Sequence, residues 1–124
     1  MERIIFRPDT KALLDKRDRK FFVFIHDTVG KLSFISSSIK EILGYSRDEF
    51  ISKPFLTYLT ENKINEEGKF YSSLTRKGEP QPSYKVEVFH KDGSTRILEV
   101  FERPKVNEKW DVISVEGVAV GIGV

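Results

Sequence analysis

The stretch SSSIKEILGYSRDEF, residues 36–50, decides how this chain is read. Here the pattern changes from a strand's alternation to a helix's period. Ser36, Ser37 and Ser38 are N-cap types, and Ile39, Ile42 and Leu43 then share one helical face. Gly44 stands where a helix ends on a left-handed residue. Ser46 is followed three residues later by Glu49, the spacing of a capping box, so a second short helical turn begins there. Pro54 ends it. The next piece, FLTYLT over 55–60, is ambiguous, and 62–76 then reads as a helix with Ile64, Phe70 and Leu74 as its apolar residues and Gly68 as an interruption. Lys77-Gly78-Glu79-Pro80 closes it.

Upstream, FFVFIHD at 21–27 and LSFIS at 32–36 are aromatic and β-branched runs joined by Thr28-Val29-Gly30-Lys31, a hairpin. Residues 1–20 are highly charged, and two readings stand side by side: a partly ordered leader, or a short helix over Ala12, Leu13 and Leu14 capped by Asp9 or Thr10. Downstream the period is two. Tyr84, Val86 and Val88 alternate with Lys85, Glu87 and Phe89; Lys91-Asp92-Gly93-Ser94 is a hairpin turn; RILEVFE at 96–102 returns. A polar loop is expected at 104–109 and a last strand over 110–124, softened by Gly117, Gly121 and Gly123. Two strands, several short helices and three strands in meander order make an α+β fold with one sheet.

The 124 residues fit one domain, with 1–20 as leader and 21–124 as the folded unit. Twenty-one basic residues against 19 acidic leave a net charge of +2, which gives nucleic acid or an anionic membrane nothing to recognise. The chain has no cysteine and two histidines, so disulfides and thiolate nucleophiles are excluded and a structural zinc site is not expected. No apolar run approaches the roughly 20 residues of a membrane span, and no signal peptide opens the chain. A cytoplasmic location is expected, free or within a membrane-anchored protein, with no direct membrane contact. Ten phenylalanines supply the apolar area for a core.

Taken in order, Asp27-Thr28-Val29-Gly30-Lys31-Leu32, then SSSIKEILGYSRDEF, then YKVEVFHKDGSTRILEV at 84–100 and VEGVAV at 115–120 resemble the PAS family, in particular the PAS modules of bacterial and archaeal sensor kinases. The resemblance spans about 20–120. There are two departures: Ile97 stands where many members have an aromatic, and the family's Asp-Ile-Thr exit reads Gly121-Ile122-Gly123. That second departure puts the family's output junction in doubt. The resemblance implies a five-stranded antiparallel sheet of order 2-1-5-4-3, with short helices on one face enclosing a small pocket. It implies a sensory module, not an enzyme, that relays ligand binding or dimer contact to an attached kinase, cyclase or regulator. A ligand-free dimerisation scaffold is the alternative, and a small α+β enzyme a third.

Cysteinyl-flavin chemistry has no cysteine here, and haem ligation as seen in the family has no histidine on 62–76. Neither cofactor is therefore expected, and the pocket leaves room for an unidentified small ligand. Strand parity turns Phe24, His26, Val86, Val88, Leu98, Val100, Val115, Gly117 and Ala119 toward the helices, where Ile42, Leu59, Phe70 and Leu74 should meet them. In related domains the position before the turn aspartate points into the pocket, so His26 either contacts a ligand or is satisfied by a backbone carbonyl or water at the strand end. Asp27 is expected to accept N–H bonds from its own turn. Glu87 and Glu99 fall on the opposite parity, as a solvated or interface pair. No catalytic residue, metal cluster or phosphate loop appears. Phe89, Ile97, Phe101, Val118 and Val120 form an apolar outer sheet face that needs a cover. The leader's Ile4, Ile5, Phe6, Leu13 and Leu14 can supply it from the same chain or a partner chain, and a homodimer through leader and outer face is the expectation.

Overall fold

The computed structural model describes residues 20–79 and 81–123. The leader, with Ile4, Ile5, Phe6, Leu13 and Leu14, lies outside the described residues, apart from Lys20, whose carbonyl accepts the Gly121 N–H at 2.9 Å.

Strand β1, Phe21–His26, and β2, Leu32–Ile35, form the first hairpin. Asp27 holds its turn: Oδ1 accepts the N–H groups of Val29 at 3.0 Å and Lys31 at 2.9 Å. The Lys31 N–H, the larger cause, keeps the Asp27 carboxyl below its ordinary value. After β2 the chain turns into helix α1, Ile39–Leu43. Of the three serines, Ser38 is the N-cap residue but makes no side-chain cap bond, while the Ser36 Oγ accepts the Val23 N–H at 2.9 Å and ties the segment before the helix to β1. Gly44 follows α1 at φ +85°, and a Cβ there would stand 2.7 Å from the His90 ring, so both conformation and space demand glycine. Helix α2, Arg47–Ile51, carries the expected capping box, with Ser46 and Glu49 bonded reciprocally at 2.9 and 3.2 Å. Glu49 also accepts the Lys91 ammonium at 2.6 Å, which, with the Ser46 N–H, holds its carboxyl down to about 2.

The ambiguous 55–60 segment is a 3₁₀ turn, Phe55–Tyr58, followed by a bridge from Leu59 to Val88. Helix α3, Lys63–Arg76, is capped by Asn62, whose Oδ1 accepts the Ile64 N–H at 3.1 Å. Strands β3, Tyr84–Phe89, β4, Thr95–Val106, and β5, Val112–Gly123, complete one five-stranded antiparallel sheet of order β2-β1-β5-β4-β3. This is the order the family resemblance implies. β4 is longer than the sequence suggests and runs through Pro104 into the expected loop. Past Val100 it pairs with β5 alone, and a strand tolerates proline where it is an edge. The tight turn is at Trp110, φ +67°.

The main core lies between sheet and helices and holds Phe22, Phe24, Ile39, Leu43, Phe50, Val88 and Leu98 among others. Each fully buried large apolar side chain contributes about 1.5–3 kcal/mol. Glu87 and Glu99 pair with Ile97 and Lys85 on the opposite parity, as expected. Ser83 donates to Glu99 at 2.8 Å and Thr60 to Glu87 at 2.7 Å, so both carboxylates are bonded at the sheet rather than free in solvent. On the outer face Phe101, Val118 and Val120 form a second, buried cluster with Val23 and Ile122 against it, while Phe89 is exposed and Ile97 half-buried.

Helix α3 departs most from the apolar-inside expectation. Phe70 is 59% exposed and Leu74 only half-buried; the buried residues of α3 are Asn65, Gly68 and Thr75. The reason is proximity: a Cβ on Gly68 would meet Tyr84 Cδ1 and Val86 Cγ1 at 3.0 Å, so the helix lies too close to β3 for a large side chain on that face. Asn65 locks this approach. Its Nδ2 donates to the carbonyls of Thr60 at 2.8 Å and Glu87 at 2.9 Å, and its Oδ1 accepts the Glu87 N–H at 2.8 Å. The amide thus serves the edge of β3 as another strand would. Replacing Asn65 by Ala removes all three bonds and buries orphaned backbone groups, so urea unfolding should show a loss of about 3 kcal/mol.

Candidate functional site

A cavity of about 90 Å³ lies between the sheet and α3, behind the 3₁₀ turn. Its apolar walls include Phe22, Phe24, Ile35, Phe55, Leu59 and Val86. His26, Phe24 and Phe55 stand as parallel rings, Phe24 stacked on His26 at 5.8 Å and on Phe55 at 6.3 Å. Val29 and Leu56, both exposed, mark the solvent end.

The opposite wall is polar. Strand register builds it: Phe24 and Glu102 both stand opposite Gly117, and His26 opposite Val115. Gly117 therefore separates an aromatic from a carboxylate on the same face. A Cβ there would lie 2.2 Å from Phe24 Cζ, so the ring occupies the space a side chain would need. His26 and Glu102 then approach each other, Nε2 to Oε2, at 3.6 Å. Both side chains are buried, that of Glu102 to 2% exposure. His26 Nδ1 lies 2.7 Å from the Asp27 carbonyl, which can only accept, so Nδ1 carries a proton. The 3.6 Å gap on the Nε2 side is longer than a formed hydrogen bond.

From α3, Ser72 donates to Glu102 Oε2 at 3.5 Å. Arg76, one turn on, also lines the cavity. Glu102 Oε1 and Arg76 Nε are buried and have no hydrogen-bond partner among the described residues. Between these elements Tyr84 is buried, and loss of water, then the nearby Glu102 charge, pushes its phenol well above its ordinary value. No group of three or more His, Cys, Asp or Glu able to hold a metal occurs among the described residues. Apolar walls with a few polar groups at one end are features this cavity shares with small-molecule pockets.

Of the expected pocket residues, Phe24, His26, Leu59 and Val86 line the cavity. Ile42, Val88, Leu98, Val100, Val115 and Ala119 are buried but do not line it, and Gly117 lies under Phe24. Phe70 points to solvent and Leu74 does not reach the cavity, which corrects their assignment. Sequence reading passed over Glu102, Arg76, Ser72 and Tyr84. The signal for Glu102 was present: it shares the inward parity of Leu98 and Val100, and a glutamate there breaks an apolar row.

A family model described as PAS fold matches residues 11–119. No curated protein matches the chain. Among solved structures, a domain described as that of a light- and redox-sensing histidine kinase from Haloarcula marismortui is 18% identical, with a TM-score of 0.70 over 94% of this chain and 99% of that one. A LOV domain from a blue-light activated histidine kinase of Erythrobacter litoralis is 16% identical, with a TM-score of 0.71 over 84% and 97%. The N-terminal domain of a diguanylate cyclase with PAS/PAC sensor from Marinobacter aquaeolei is 13% identical, with a TM-score of 0.68 over 81% and 93%.

The close contact at Gly117 is testable. Gly117→Ala should displace the Phe24 ring into the cavity and cost about 1–3 kcal/mol of stability. A crystal structure of the variant with Phe24 unmoved would contradict this.

Proposed function

The chain belongs to the PAS family, whose model matches it over residues 11–119, and on that footing we propose that it is the sensory module of a larger signalling protein, a histidine kinase first of all. The observation that carries this reading is the cavity with buried His26 and Glu102 at its polar end, an interior that a mere scaffold would fill with apolar side chains. The likeness to domains of histidine kinases and a diguanylate cyclase supports an attached output domain. In this reading the module performs no chemistry itself and works in the cytoplasm; no helix among the described residues is long and apolar enough to cross a membrane.

The relay follows from the sheet. β5 lies between β1 and β4 and contributes to the core over the cavity, while Phe21 pairs with Val120 and Lys20 with Gly121. The two ends of the described domain thus leave side by side. An occupant that reorders His26 and Glu102 shifts β1 and β5 together, to the extent that it binds the two arrangements unequally. A small ligand is favoured over haem or a cysteinyl flavin: the chain has no cysteine, and 90 Å³ is far below the roughly 300–1,000 Å³ of a drug-sized pocket. Native mass spectrometry of the freshly purified protein should show a small colourless adduct. A stoichiometric chromophore absorbing between about 380 and 460 nm would overturn this.

We further propose a homodimer through the outer sheet face, where Phe89 is exposed and Ile97 half-buried beside the Phe101, Val118 and Val120 cluster. Sedimentation at tens of micromolar should show the dimer. Phe89→Glu is the sounder probe, because Phe101 is already buried within one chain and its replacement would damage the fold. A wild-type monomer refutes the dimer, and a dimeric Phe89→Glu variant moves the interface elsewhere.

A further inference from the structure

Resting on the sensory reading above, we infer that the cavity is built for a small neutral molecule with adjacent hydrogen-bond donor and acceptor, such as an azole or a short amide. Its donor meets Glu102 Oε1, and its acceptor meets Arg76 Nε. These are the two buried side-chain polar atoms without a formed hydrogen bond among the described residues, the Tyr84 hydroxyl lying beside the same Glu102 carboxylate, and both side chains line the same cavity. One is an acceptor only and the other a donor only, so their complement carries one group of each kind.

Charge selects against an ion. Glu102 is flanked by His26 and shares the cavity with Arg76, while Lys69, also at the cavity, is exposed and solvated. An anion facing Arg76 would also face the Glu102 carboxylate in a poorly hydrated space, and a cation facing Glu102 would also face the guanidinium. A neutral dipolar ligand satisfies both. Size narrows it further. A 150 Å³ apolar cavity holds benzene, so 90 Å³ admits about four non-hydrogen atoms. The Phe24 and Phe55 rings and Val86 suit a flat, apolar body.

The same atoms suggest why the protein keeps them. A buried carboxylate with one unpaired oxygen destabilises the fold, and an apolar replacement of similar size often relieves that cost. Departures of this kind from a fully satisfied core are expected at functional positions.

Ligand-observed NMR of the intact chain with four probes, pyrazole, acetamide, propionate and ethylammonium, tests this. Pyrazole or acetamide should bind saturably, and the two ions should not. Glu102→Gln and Arg76→Met should each weaken binding about tenfold, the loss of one hydrogen bond to a charged group. Glu102→Leu should abolish binding while raising Tm; circular dichroism of Glu102→Gln, which keeps the side chain's shape, verifies that folding is intact. Preferential binding of propionate or ethylammonium overturns the neutral-ligand inference and leaves the sensory reading standing. Unaltered binding by Glu102→Gln overturns it likewise. If none of the four probes binds at tens of millimolar, the cavity holds solvent only and the inference fails. Should native mass spectrometry also find no adduct, the ligand-sensing reading falls with it.

Discussion

The pairing of β1 with β5 is the constraint on which the rest of the molecule depends. It joins a hairpin at residues 21–35 to a meander that ends at residue 123, and its register runs without a slip from Phe21↔Val120 to His26↔Val115. A shift of one residue would turn Phe22, Phe24 and His26 out of the core and Val23 and Ile25 into it. The same register, carried across β5 to β4, puts Gly117 opposite both Phe24 and Glu102. The cavity's aromatic wall and its polar end are consequences of one ladder, and the missing side chain at Gly117 lets them coexist.

Two buried polar residues show what the helical layer does with this sheet. Asn65 is fully engaged: three bonds to backbone groups bring α3 against β3, at a separation that leaves no room for a large side chain at Gly68. Glu102 is partly engaged: Ser72 and His26 approach Oε2, the Tyr84 hydroxyl lies beside the carboxylate, and Oε1 has no formed hydrogen bond among the described residues. A satisfied buried network rigidifies a core, and an unsatisfied one weakens it. The molecule therefore has one end where Asn65 ties helix, loop and strand together with satisfied bonds, and another where Glu102 and Arg76 line the cavity with one buried polar atom each left unbonded among the described residues.

Much of this was legible in the chain. The hairpin turn at Asp27, the capping box of Ser46 and Glu49 and the Gly44 stop were read from neighbours a few residues apart, because capping and turn chemistry is local. Parity placed Val86, Val88, Leu98 and Val100 inward and Glu87 and Glu99 outward. The reading failed on α3, where choosing the large apolar residues Phe70 and Leu74 as the inner face ignored that a helix packed close on a strand needs small ones. It also ended β4 before Pro104, since whether a strand is an edge at a given residue depends on where its neighbour stops.

By itself the sequence determined the elements, their order, the inward parity of each strand and the family likeness, because these follow from periodicity, caps and turns within short windows. Only the tertiary structure decided the site. His26, Ser72, Arg76, Tyr84 and Glu102 come from four elements, and no local pattern states the distances among them. Their meeting is set by ladder register and by how closely α3 approaches the sheet, both of which are long-range packing outcomes. A glutamate on the inward row of β4 was visible in the chain; that it faces a histidine 3.6 Å away inside a cavity was not.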